Sequence, residues 1–237
     1  YDSPEVQPEN QAAPSSNLGI ARINPREYIQ LGINGIHRTP AVISAYELQE
    51  SNNKNYENAH RFVLEKGLYM PTPFLFMAYF KKVMSAQKGA GKLHYADGFQ
   101  VPDAEVNEIF RHLTSNHKDI FASGNPGVWT WLNAQFNKGN LETVTGIDST
   151  GNLIKTSSKL ESCLNKDCYV NFDFNSQGLA VPTSISQNQK YSQGENIFFY
   201  FPRKNAVAGF FANFDRANLS CNWHPDYRFA GLGVFGV

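Results

Sequence analysis

The stretch Ala206–Val237, AVAGFFANFDRANLSCNWHPDYRFAGLGVFGV, constrains the fold more than any other part of the chain. Its ends are smooth and apolar, while its middle, Phe211–Phe229, crowds Asn, Asp, Arg, Ser, His, Trp, Tyr and Phe together. Ala217, Leu219 and Cys221 alternate with Arg216, Asn218, Ser220, Asn222 and His224. Extended backbone sends successive side chains to opposite faces, so the alternation predicts a strand with small apolar groups inward and hydrogen-bonding groups outward. A one-residue slip would bury the polar row, which fixes the register. Pro225 ends the pairing, Asp226–Phe229 forms a loop, and Gly231–Val237 returns as a strand. An ordinary half-exposed strand and turn has the same alternation, which is the default in antiparallel sheets. The middle also matches the paratope mixture, in which rigid rings supply contact area and small amides adapt their hydrogen bonds.

Upstream, helices precede strands. Residues 1–18, with Pro4, Pro8 and Pro14 among polar residues, cannot bury much and read as an extended tail before a single domain at 19–237. Tyr28–Ile33 predicts a first strand ending at Asn34-Gly35. Tyr56, Ala59, His60, Val63 and Leu64 recur at helical spacing over 53–65, with Gly67 placed to cap the helix. A lone His60 on that stripe reads as a packed, hydrogen-bonded histidine. Pro71-Thr72-Pro73 precedes an apolar helix over 74–84, and a third helix runs from Pro102-Asp103 through Leu113, with Val106, Ile109, Phe110 and Leu113 on one face. After a turn at 124–127, Val128–Leu132 predicts a strand with Trp129 and Trp131 both facing a core. Leu141–Ile147 and Asn152–Thr156 form a hairpin around Asp148–Gly151. Tyr169–Phe174 and Asn196–Phe201 are further strands, the second apolar on both faces and so central. This order gives an α+β fold.

Several function classes are disfavoured. Lys plus Arg and Asp plus Glu both number 21, so no net field attracts nucleic acid. No apolar run reaches the length of about 18 residues that a membrane helix needs. The stretch GAGK near Gly89–Lys92 lacks the spacing of a phosphate loop. His94 and His117 sit near acids without a triad context, and no catalytic residue, metal site or cofactor motif is assigned. Three cysteines leave three readings open. Cys163 and Cys168 could close a small disulfide with Cys221 a buried thiol; Cys163, Cys168, Cys221 and His224 could hold zinc; or all three are free.

The frame AVAxF, then ANL-x-C, then GLGVF resembles the variable region of diversity-generating retroelement proteins, and the N-terminal portion looks most similar to their archaeal branch, which implies a source that is either archaeal or a virus. The strong match covers about the last forty residues. In that family template adenines are mutated, chiefly in AAY codons, which yields Asn, Asp, His, Tyr, Phe, Ser and Arg without stops. Trp223 departs from that set. The resemblance implies a C-type lectin fold, with N-terminal helices packed on an antiparallel sheet bearing long loops. It also implies a hypervariable ligand-binding surface made by Phe211, Asn213, Phe214, Asp215, Arg216, Asn218, Ser220, Asn222, Trp223, His224, Asp226, Tyr227, Arg228 and Phe229. The expected partner is a macromolecule, a protein or cell-surface ligand, bound by a monomer without cofactor, nucleic acid or membrane insertion. The expected setting is cell-surface, secreted or virion-associated. The alternative is a metal- or cysteine-dependent enzyme on the related formylglycine-generating type of fold, and a third reading is a structural virion component.

Overall fold

Each of the first two helices begins where the sequence supplies a cap. The Asn55 side chain accepts from the Asn58 N–H at 3.0 Å and opens α1 (Tyr56–Glu65). Thr72 accepts from the Leu75 N–H at 3.3 Å, and Pro73 takes the first helical position of α2 (Pro73–Gln87), where its missing donor costs nothing. The third helix, α3, spans Asp103–Thr114, with Asp103 and Glu105 at its positive end. In α1 the buried stripe is Tyr56, Ala59, His60 and Val63, and Gly67 follows in the left-handed region at φ +71°. In contrast α2 is buried around most of its girth, through Leu75, Phe76, Met77, Tyr79, Phe80, Val83 and Met84. This computed structural model describes residues 24–34, 40–114, 128–213 and 215–237. The tail at 1–18, Gly35, His117, the 124–127 turn and Phe214 lie outside the described residues.

Two sheets make the rest. A small antiparallel pair joins β1 (Tyr28–Asn34) to β2 (Pro40–Ser44). The large sheet contains β3 (Val128–Asn137), β4 (Asn140–Ile147), β5 (Leu153–Lys159), β6 (Cys168–Val170), β7 (Ile197–Tyr200), β8 (Ala206–Asn213), β9 (Arg216–Trp223) and β10 (Leu232–Gly233). Its order is β5-β4-β3-β8-β9-β7-β6, with β10 also on β3. The protein is α+β, with few helices and a large mixed sheet: β7 runs parallel to β9 and β10 parallel to β3. The expected purely antiparallel sheet is therefore corrected. So is a central Asn196–Phe201 strand, because β7 is next to the edge strand β6, and its Phe198 and Tyr200 stay half-exposed. A returning strand over Gly231–Val237 shortens to Leu232–Gly233.

The large sheet separates two apolar layers. One face carries Leu132, Phe136, Ala208, Phe210, Ala212, Ala217, Leu219 and Cys221 against Phe76, Phe80 and Val83 of α2 and Ile109 and Leu113 of α3. On the other face a smaller cluster joins Tyr56, Ala59 and Val63 of α1 to Trp131, Val207, Leu232 and Val234.

Three irregularities interrupt the ladder of the large sheet: one extra residue in β4 between Val144 and Gly146, and two that adjoin the strands of the open face. Between Leu132 and Gln135 the chain of β3 carries two extra residues relative to β8. There the fully buried Asn133 side chain takes over the ladder, donating to the Val144 carbonyl at 2.8 Å and accepting from the Val144 N–H at 2.7 Å. In β9 one extra residue lies between Ser220 and Trp223, since Gly209 faces Ser220 while Val207 faces Trp223. Such a bulge shifts every later side chain to the opposite face.

Candidate functional site

On the open face of β7, β9 and β8 a groove of about 560 Å³ is lined by Trp129, Tyr200, Phe211, Asn213, Arg216, Asn218, Ser220, Asn222, Trp223, Tyr227 and Phe229. The alternation in β9 works as the sequence predicts: Ala217, Leu219 and Cys221 are fully buried in the main core, and Asn218 and Asn222 are half-exposed on the groove side. Neither carboxamide makes a side-chain hydrogen bond among the described residues, so both are free to meet a ligand. Asn213 serves the turn instead, its Oδ1 accepting from the N–H groups of Asp215 (3.2 Å) and Arg216 (3.0 Å). Arg216 pairs with Asp215 at 3.1 Å, both side chains well exposed.

Trp223 occupies the groove because of the bulge. Without the extra residue it would share the core-facing parity of Cys221. With it, the indole crosses over Gly209, where an added Cβ would lie 2.0 Å from Trp223 Cζ3. The ring stacks on Trp129 (centroids 5.7 Å, 27°) and meets Trp131 edge-on at 5.4 Å. Trp129 also touches Phe211 at 4.5 Å and Phe229 at 5.2 Å, and Phe229 touches Tyr227 at 5.7 Å. These rings form one continuous ledge along the side of the groove. The Trp129 Nε1 is covered and has no hydrogen-bond partner among the described residues.

The expected surface is therefore divided. Tyr227 and Phe229 are each 45 % exposed, while Phe211 and Trp223 are half-buried against the ledge. Ser220 lies on the predicted face, yet it is 2 % exposed and forms the floor, which corrects its assignment as a freely displayed residue. His224, Asp226 and Arg228 lie past the end of β9 and outside the groove. His224 Nδ1 accepts from the Asp226 N–H at 3.2 Å, and Asp226 borders a separate polar cleft of about 420 Å³ with Tyr56, Arg61 and Lys155. Asp215 is likewise exposed beside the groove without lining it.

Two lining residues come from outside the C-terminal interval. Trp129 and Trp131 share a face as predicted, but only Trp131 is enclosed; Trp129 faces the groove, which corrects the expectation that both enter a core. Tyr200 sits beside Ser220 in the parallel pairing of β7 with β9. Phe198 contacts Tyr200 at 4.8 Å and Tyr169 at 5.0 Å, which extends the rings to the sheet edge. The sequence signal for this wall is the aromatic i, i+2 pair Phe198 and Tyr200. It was masked by equally apolar neighbours, Ile197 and Phe199.

The cysteines are all free thiols, so the disulfide between Cys163 and Cys168 does not form. Cys221 faces the core while the His224 side chain is exposed, and among the described residues no three His, Cys, Asp or Glu side chains gather as ligands. Burial, helped by the neighbouring Cys163, pushes the Cys221 thiol well up; burial likewise raises Cys163 and Cys168. His60 is packed edge-on against Tyr56 at 4.6 Å, but its Nε2 lacks a hydrogen-bond partner among the described residues, contrary to the expected hydrogen-bonded histidine. Among the described residues no helix is long and apolar enough to cross a membrane. Comparison with known proteins finds no matching family model, no matching curated protein and no matching solved structure.

Proposed function

We propose that this chain is a non-enzymatic ligand-binding protein of the diversity-generating retroelement type, built on a C-type lectin-like frame. Its variable C-terminal surface contacts a protein or cell-surface partner. One observation carries the reading: nine of the fourteen residues that the resemblance marks as changeable line one groove, while the apolar frame between them lies in the core. Phe211, Asn213, Arg216, Asn218, Ser220, Asn222, Trp223, Tyr227 and Phe229 line that groove, and Ala217, Leu219, Cys221, Leu232 and Val234 are fully buried. Such a division lets a surface change chemistry at little cost in stability, because surface substitutions away from special features stay within about 0.5 kcal/mol. Aromatic rings beside adaptable amides are the composition of recognition surfaces. The raised thiols support the non-enzymatic reading, since a reactive cysteine needs a lowered pKa.

The test exchanges residues 211–229 for the interval of another variant, keeping Ala212, Ala217, Leu219, Ser220, Cys221 and Trp223. The expected result is a changed partner in a cell-surface or protein-array screen, with an unchanged melting temperature and no dependence on added calcium. The same partner before and after the exchange would overturn the proposal.

A further inference from the structure

The groove is built from a unit that repeats along β9. Across the sheet Phe198, Asn218 and Phe211 stand side by side; two residues further along β9, Tyr200, Ser220 and Gly209 do the same. In both rows a small polar residue is the floor and aromatic groups flank it. Gly209 has no ring of its own, and the Trp223 indole lying over it supplies one. The flanking strands are two inter-strand spacings apart, about 9.6 Å, which leaves space for one chain between the rings. An α-helix, about 10–12 Å wide with its side chains, does not fit between such walls.

The floors repeat every two residues of β9, about 6.8 Å. Same-side groups of a β-extended polypeptide recur at this distance, about 6.4–6.8 Å for two residues. Strand addition is closed to the partner here, because β9 is already paired with β7 and β8. The backbone of a bound segment must instead meet side chains, and Asn218, Asn222 and Tyr200 stand where it would run. A β-extended segment suits that arrangement, because its alternate side chains keep the two-residue period of the floors and its unpaired backbone N–H and C=O groups can be met by the carboxamides and the hydroxyl. Charge points the same way. Arg216 is the one charged residue lining the groove among the described residues, and Asp215 pairs with it. The lining is thus close to neutral and complements an uncharged segment better than a phosphate chain or an acidic peptide.

We infer that the groove holds an uncharged, extended polypeptide segment of the partner, with two alternate side chains seated above Asn218 and Ser220. Phe198 and Tyr200, which lie outside the C-terminal interval, then form a constant wall of the site. The inference rests on the ligand-binding reading above and names the partner's chemistry.

The experiment pans a random dodecapeptide phage library against the full chain and measures synthetic copies of the recovered peptides by fluorescence anisotropy. Recovered peptides are expected to carry two bulky uncharged residues at i and i+2. Tyr200→Ala should weaken them at least 10-fold, Tyr200→Phe should restore most of the affinity, and Lys138→Ala, far along β3–β4, should leave it unchanged. Peptides with i, i+3 and i+4 helical spacing would overturn the inference, as would affinity indifferent to Tyr200→Ala in a variant whose melting temperature is unchanged. Failure of every peptide alongside saturable binding of maltohexaose would overturn it too. None of those results touches the parent reading, which falls separately if exchanging the interval leaves the partner unchanged.

Discussion

At the scale of single residues, Trp223 and Ser220 show how position overrides type. Trp223 is not simply a displayed residue, because its ring fills the space that Gly209 leaves. Gly209→Ala should cost about 1–3 kcal/mol through overpacking, read by urea denaturation, and should weaken the near-ultraviolet circular dichroism of the stacked Trp129–Trp223 pair. In a Trp223→Ala background the same Gly209→Ala change should cost far less, and equal costs in both backgrounds would show that the two positions do not touch. Ser220→Asp places a carboxylate on a floor that is 2 % exposed. Its cost should exceed about 1 kcal/mol, whereas Asn218→Tyr, on the half-exposed part of the same strand, should stay within about 0.5 kcal/mol. Leu219→Ala, in the core between them, should cost about 2–5 kcal/mol. Thermal melts of the three variants check the order.

Between strands, two of the irregularities carry separate consequences, one for the ladder and one for the groove. Asn133 replaces a missing rung of the β3–β4 ladder with its side chain, satisfying both backbone groups of Val144. Asn133→Ala strands that N–H and that carbonyl in a buried place, and should cost about 1–3 kcal/mol for each. Hydrogen exchange at Val144 should rise well above that of its neighbours. If exchange at Val144 stays at the wild-type rate, the side chain is not the partner that protects it. The bulge after Ser220 has the opposite consequence, since it adds a ring to the groove. That single extra residue flips the facing of Trp223, whereas the two extra residues at Asn133 leave the facing of β3 unchanged.

For the whole molecule, the C-terminal segment ties the layers together. Leu232 and Gly233 pair with Trp129 and Thr130, Leu48 donates to the Val234 carbonyl at 2.8 Å, and Val237 and Tyr69 exchange backbone bonds at 2.8 and 2.9 Å. Buried His60 couples this assembly to pH. Burial first, and Lys155 second, hold its pKa down at about 3 in the folded state. The unfolded chain, with an ordinary histidine value of about 6.5, therefore binds the extra proton first, and stability falls as pH drops from about 6.5 toward 3. His112 has the reverse sign. Burial lowers it, but hydrogen-bonded Glu47 raises it further, so its contribution is present at low pH and is lost as pH rises through the raised value. His60→Leu should flatten the acid side of the stability profile measured by urea titration from pH 4 to 7, and a slope unchanged from wild type would contradict the assignment.

Local order was legible in the residues alone. Capping residues and 3.6-residue periodicity placed all three helices, and the period-two alternation of Ala217, Leu219 and Cys221 against Asn218 and Asn222 set which face of β9 is buried. These are short-range preferences of backbone and side chain, and they act before any long-range contact forms. Long-range pairing settled the rest. That Phe198 and Tyr200 flank Asn218 and Ser220 depends on β7 pairing parallel to β9 across the intervening residues 201–215, which no local pattern encodes. Whether Trp129 enters a core or a groove depended on what packed above it. Whether Trp223 faced inward or outward turned on one inserted residue in the register, and the ring could settle there because a glycine in the neighbouring strand had left the space empty.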